Sequence, residues 1–246
     1  MTAAFGVPLS TIAVLWAGAF VGAIAAGGAG FAFALAAAAI WLHALEPLQV
    51  TTLIVACGSL LHVTLVWPIR RSIERERLTP FLIGAALGIP VGVAFVSQVD
   101  PHPIKLAIGA GLCLYGAYTL LAPRLPRIEG GGRPADAAVG FLGGVLGGAA
   151  GLSGVLPTIW TQLRGWPKAV ARGVYQPFIL FAHLLTLSLL GVAAISGDGL
   201  KLFLLALPPL ALGAWLGFAL YGKLDEARFK QFLALMLIAS GAALLF

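Results

Sequence analysis

Apolar stretches of roughly 20 residues, each long enough to cross about 30 Å of hydrocarbon as an α-helix, follow one another from residue 8 to residue 245 with short polar intervals between them. Few folds survive that constraint. Backbone inside a bilayer must satisfy its own hydrogen bonds, so a spanning segment is a helix or part of a closed barrel. Barrel strands would read as segments of about ten residues with alternating polarity. The runs here are continuous and rich in Leu and Ala, which selects helices. Charged residues make up 10% of the chain and apolar ones 60%, whereas about a quarter of a water-soluble globule is charged. Residues 1–246 therefore form one all-α polytopic membrane domain.

Two apolar blocks exceed a single span and are broken by glycine. Residues 8–45 are interrupted by "AAGGAG", and residues 137–163 by "GGAAGLSG". Three ordinary spans follow each block, near 48–68, 79–98 and 103–122 in the first half and near 168–195, 200–222 and 226–245 in the second. The basic segment "APRLPRIEGGGRPAD" separates them, which gives repeat one (1–122), a linker (123–136) and repeat two (137–246). Residue matches support duplication. An offset of 121 carries Gly30 onto Gly151 and His62 onto His183, while an offset of 125 carries Asp100, Lys105 and Gly116 onto Asp225, Lys230 and Gly241. Pro47 and Pro167 open equivalent spans. Preserved order over a whole chain is the mark of an internal repeat.

Charge sets the orientation. If each glycine-broken block is a hairpin returning to its side of entry, one face receives Arg70, Arg71, Arg75, Arg77, Arg124, Arg127, Arg133, Arg164, Lys168, Arg172, Lys223, Arg228 and Lys230, and the other only Lys105 and Lys201. A single crossing by the second block would reduce this contrast of 13 against 2 to 8 against 7. The positive-inside rule selects the returning hairpin and makes the basic face cytoplasmic. Three crossings per repeat then turn the second repeat upside down, giving two inverted-topology repeats, each a glycine-broken hairpin plus three transmembrane helices. The start of the chain has no Lys or Arg among its first 20 residues, so it lacks the basic region of a cleaved signal and reads as mature structure with extracytoplasmic termini. The pI near 9.8 reports topology and not affinity for nucleic acid. Cys57 and Cys113 lie in apolar runs without metal or redox spacing, which suits packing.

Glycine lets backbone leave helical geometry at membrane depth, and a broken helix exposes N–H groups that attract anions. All nine acidic residues fall in loops or at span ends, whereas cation pathways plant carboxylates inside the bundle. An anion is the ligand such a site favours. Ser153 and Pro157 suit a turn in the second block, although the same glycines would also serve close helix packing. His62 and His183 occupy matching positions within spans and offer oxyanion donors or a proton carrier, or else are histidines bonded to carbonyls between helices. Arg172 lies about one turn from Tyr175 and Gln176, which places an oxyanion-binding fork beside two neutral donors or else marks the cytoplasmic boundary with a side chain that snorkels into headgroups. Arg164 and Lys168 mark the cytoplasmic boundary, and Thr51 and Thr52 are lesser candidates in the first repeat.

The paired glycine-broken blocks, three spans after each, and "WPKAVARGVYQPF" after the second block resemble the sulfite exporter TauE/SafE family of membrane permeases, over nearly the whole chain. That resemblance implies secondary transport of a small sulfur-containing anion such as sulfite, a thiosulfate-like species or an organosulfonate across a bacterial inner membrane. It also carries Gly27, Gly28, Gly30, Gly147, Gly148 and Gly151 over as substrate-cradling positions. The first copy, "AAGGAGFAFALAAAA", lacks the proline that follows the glycines in the second. No metal set, hydrolase triad or phosphate-cradling GxxxxGK[ST] sequence is present, so neither catalysis nor ATP-driven pumping has residues to carry it. The chain is expected to be no enzyme and to need no cofactor. Its expected partners are a small anion, the bilayer and a coupling proton or ion. A passive anion channel is the nearer rival, and a membrane enzyme or assembly factor the more distant one.

Overall fold

A computed structural model describes residues 6–96, 101–121, 127–195 and 197–221, with scattered helical residues between 231 and 245. The described residues form helices throughout, without strands. In chain order these are α1 (Leu9–Ala29), α2 (Phe33–Trp41), α3 (Pro47–Ile69), α4 (Arg75–Val96), α5 (Pro101–Leu121), α6 (Gly132–Ala150), α7 (Val155–Leu163), α8 (Lys168–Ile195) and α9 (Asp198–Tyr221). Five of them, among the described residues, are long and apolar enough to cross a membrane: α1, α3, α4, α8 and α9. The expected final span at 226–245 lies largely outside the described residues, as do Asp100, Asp225 and Lys230.

The helix boundaries have local causes. Pro47 opens α3 at the position where its missing N–H is lost to no bond, and the Pro167 carbonyl accepts from Ala171 N to start α8. Both glycine-broken blocks end their long helix on a glycine in left-handed geometry. Gly30 has φ 78° and Gly151 has φ 71°, a conformation that excludes side chains at little cost only for glycine. Each left-handed cap sends the chain back along the helix it has just ended.

Two indole rings fasten the resulting hairpins. Trp41 Nε1 on α2 donates to the Leu15 carbonyl on α1 at 2.9 Å, and Trp160 Nε1 on α7 donates to Asp136 Oδ1 on α6 at 2.7 Å. Leu15 and Asp136 stand the same distance ahead of their turn glycines. The second hairpin therefore returns to the side it entered. Ile128 N donates to the Leu163 carbonyl, and Arg164 Nη1 to the Gly130 carbonyl. Arg77 and Arg164 both lie over the Trp166 ring. The arginine-bearing loops at 70–77, 127–133 and 164–166 thus share one face.

Glycine decides how closely the helices approach. α4 and α6 make the most extensive contact in the fold. A Cβ on Gly84, Gly88 or Gly92 would stand 2.1 Å from the carbonyl oxygen of Ala137, Phe141 or Val145 respectively. These pairs advance together, so the two helices run parallel with backbones in contact. α1 and α9 do the same, with Gly213 on the Phe20 carbonyl and Gly217 on that of Ile24. Between these two seams α3 packs against α8.

Candidate functional site

The two glycine turns meet where α3 and α8 cross. Residues 30–32 and 151–154 are buried, as non-helical backbone inside a bilayer must be. Gly30 lies against α8, where a Cβ would stand 2.4 Å from Gln176 Nε2 and 3.4 Å from the Tyr175 hydroxyl. Gly151 lies against α3, 2.5 Å by the same measure from Ile54 Cγ2. The turns also touch each other, since a Cβ on Gly154 would reach Phe31 Cβ at 3.4 Å.

His62 on α3 and His183 on α8 face one another across this junction. Their ring centroids are 5.3 Å apart and the rings are nearly perpendicular. Gly58 makes room for the second ring, because a Cβ there would overlap His183 Cε1 at 2.5 Å. His62 Nδ1 pairs with the Gly58 carbonyl at 2.8 Å, and His183 Nε2 lies 3.4 Å from the Gly151 carbonyl. The opposite nitrogens, His62 Nε2 and His183 Nδ1, make no hydrogen bond within 3.5 Å among the described residues, although the backbones of Gly30 and Gly58 lie close to the two rings, and Ser153 Oγ and Gln176 Oε1 are likewise unpaired there. All four side chains are at most 2% exposed. An unpaired buried polar atom costs about 1–3 kcal/mol; here the Ser153 hydroxyl can donate, whereas Gln176 Oε1 and, in the neutral rings, the second imidazole nitrogens accept.

Neither short helix has a side-chain cap: the N-cap residues, Ala32 before α2 and Gly154 before α7, supply none. Their first-turn N–H groups therefore have no partner within the helix. On one side the lining is aromatic, with Phe31 meeting Tyr115 and Tyr175 edge to face at 5.7 and 6.2 Å.

The family profile "Sulfite exporter TauE/SafE" matches residues 11–244. The chain belongs to the TauE/SafE family. That makes it a multi-pass membrane protein of a family of sulfur-anion transporters. Comparison with curated proteins and with solved structures gave no significant match.

In this TauE/SafE family member the residues singled out from sequence fall into distinct places. Gly30, Gly151, Ser153, Tyr175, Gln176, His62 and His183 come together at the junction. Arg172 is half-buried on α8, one turn before Tyr175. Gly147 lies under the second turn, where a Cβ would meet Ser153 Cβ at 2.8 Å. Gly27 and Gly148 face helix seams: the first approaches the Gly217 backbone on α9, the second that of Ile89 on α4. Gly28 lies in the last turn of α1, and its surroundings fall outside the described residues. Thr51 Oγ1 donates to the Ala149 carbonyl at the end of α6. Thr52 Oγ1 bonds the Leu48 carbonyl of its own helix.

Sequence reasoning passed over Phe31, Tyr115 and Ile54, which line the junction, because an aromatic or aliphatic residue in an apolar run carries no signal of its own. It also passed over Trp160. A tryptophan one helix away from an acid at a helix start is a pairing only the folded hairpin brings into reach.

Proposed function

We propose that this protein is a secondary transporter that moves a small sulfur-containing anion across a bacterial inner membrane, holding it between the two glycine turns. The observation that carries the reading is the pair of buried, uncapped helix starts at the two glycine turns, beside the buried Ser153 hydroxyl and the facing His62 and His183 rings. Those helix-start amides and the Ser153 hydroxyl suit the oxygens of a sulfite or sulfonate group, and each imidazole adds a donor at its remaining nitrogen when it carries a second proton. Depth is consistent with this role. Each short leg has nine residues, a rise of about 14 Å or half the hydrocarbon core, from which we infer turns near mid-membrane.

Inverted repeats are the architecture we infer behind the site. The pairings are equivalent under exchange of halves: α4 on α6 matches α9 on α1, and α3 on α8 matches itself. Gly30 against Tyr175 and Gln176 likewise matches Gly151 against Ile54. Each seam joins a hairpin of one repeat to a helix of the other. We take α4 with α6 and α7, and α9 with α1 and α2, as two bodies that rock about the α3–α8 contact to open the buried site to either face.

Flux into liposomes holding the purified protein tests the reading, with sulfite, thiosulfate, sulfate, an alkyl sulfonate, a carboxylate and chloride as candidates. Concentrative, gradient-driven uptake of a sulfur anion is expected, as is its loss in Gly151→Leu, which fills the second turn. Wild-type flux in that variant would remove the turns from the mechanism. Purely dissipative flux would make the protein a channel.

A further inference from the structure

α4 and α6 run parallel, so their first turns open side by side on the arginine-rich face, just before the seam closes at Gly84 and Ala137. There they diverge into an open groove of about 540 Å3, with Arg75, Glu76 and Arg133 at its mouth and Pro80, Ile83 and Ala137 beneath. Charge above and apolar surface below is the profile of a membrane interface. Among the described residues the one carboxylate lining the groove, Glu76, makes a long contact with Arg133 at 3.7 Å between side chains 89% and 73% exposed, which leaves guanidinium donors at the mouth unused by them.

The apolar part continues along the outside of the seam. Ile83, Leu87 and Val91 form an exposed stripe down α4 at every fourth position, and Leu142 and Leu146 are exposed on α6. Eight residues of helix, about 12 Å, separate Arg75 from Ile83. With Ile83 in hydrocarbon, Arg75 reaches the headgroup layer.

We propose that this groove binds an anionic phospholipid, its phosphate between Arg75 and Arg133 and one acyl chain along Ile83 and Leu87. The lipid would lie across the α4–α6 seam and hold its two helices together at their entry. Charge complementarity favours an anionic headgroup over a zwitterionic one, and the apolar stripe favours a lipid over a free anion. Basic residues at a bilayer surface attract anionic lipid in this way.

Native mass spectrometry and thermal unfolding of the purified full chain in detergent test the assignment, comparing phosphatidylglycerol with phosphatidylcholine of identical acyl chains. Phosphatidylglycerol should stay bound and raise the Tm more than phosphatidylcholine does. R75Q/R133Q should weaken its retention roughly thirtyfold, from about 1 kcal/mol per basic residue. R70Q/R71Q, which removes equal charge from the same face outside the groove, should retain it. Equal retention of the two lipids, undiminished binding in R75Q/R133Q, or equal loss in R70Q/R71Q would overturn the proposal. The same rise in Tm from inorganic phosphate alone would also overturn it, because the groove would then hold a free anion.

Discussion

Replacing Gly88 by alanine perturbs the α4–α6 seam at its centre. A methyl group there would stand 2.1 Å from the Phe141 carbonyl oxygen, whereas a relaxed carbon–oxygen contact needs about 3.3 Å, so the helices must part by roughly 1.2 Å. Backbone cannot swing aside as a side-chain tip does. Parting also withdraws Gly84 and Gly92 from the carbonyls of Ala137 and Val145. Three C–H contacts to carbonyl oxygen at about 0.5–1 kcal/mol each are lost, about 1.5–3 kcal/mol, offset by about 1 kcal/mol of helix propensity gained by alanine. The net expectation is a loss of about 0.5–2 kcal/mol. Gly111 supplies the control, because nothing lies within 4 Å of a Cβ placed there. Gly111→Ala should therefore be neutral or stabilising by up to about 1 kcal/mol. Once one methyl has opened the seam, a second meets little resistance, so Gly84→Ala/Gly88→Ala should be no less stable than Gly88→Ala alone. Unfolding in mixed micelles, followed by helical circular dichroism, measures all three. A Gly88→Ala as stable as Gly111→Ala, or strictly additive losses in the double variant, would refute a seam held by backbone contact.

The two hairpin latches should differ in strength. Trp160→Phe leaves the buried Asp136 carboxylate without its indole donor and should cost about 1.5–3 kcal/mol, while Trp41→Phe breaks a bond to a neutral carbonyl and should cost about 0.5–1.5 kcal/mol. Equal losses in the same unfolding assay would deny Asp136 a charged role in the latch. At the site, a hydrogen bond from a protonated imidazole to an anion is worth about 1.5–3 kcal/mol, so where the rings carry that second proton His62→Ala or His183→Ala should raise the apparent Kd of the transported anion roughly ten- to a hundredfold. Wild-type affinity in the double variant, measured by competition in the flux assay, would take the histidine pair out of binding.

The helices, their order and their punctuation are legible in the chain itself. Uninterrupted apolar runs admit no other backbone in a bilayer, Pro47 and Pro167 mark helix starts, and Gly30 and Gly151 sit where left-handed caps end the long legs. The arginine distribution likewise favours a hairpin that returns, and the arginine loops lie on one face. What each residue faces is a different matter. Within "GGVLGG" at 143–148, Gly143 and Gly147 make room for the turn of their own hairpin, and Gly144 and Gly148 for α4. Nothing in the letters separates the members of these pairs. The meeting of His62 with His183, the hold of Trp160 on Asp136 and the seam contacts of Gly27 and Gly148 are likewise decided by tertiary packing. The physical reason is the solvent: amphipathic periodicity tells inside from outside only where outside is water. Lipid is as apolar as a protein interior, so the pattern that points a soluble helix inward is absent here, and only the assembled fold determines which face meets lipid and which meets another helix.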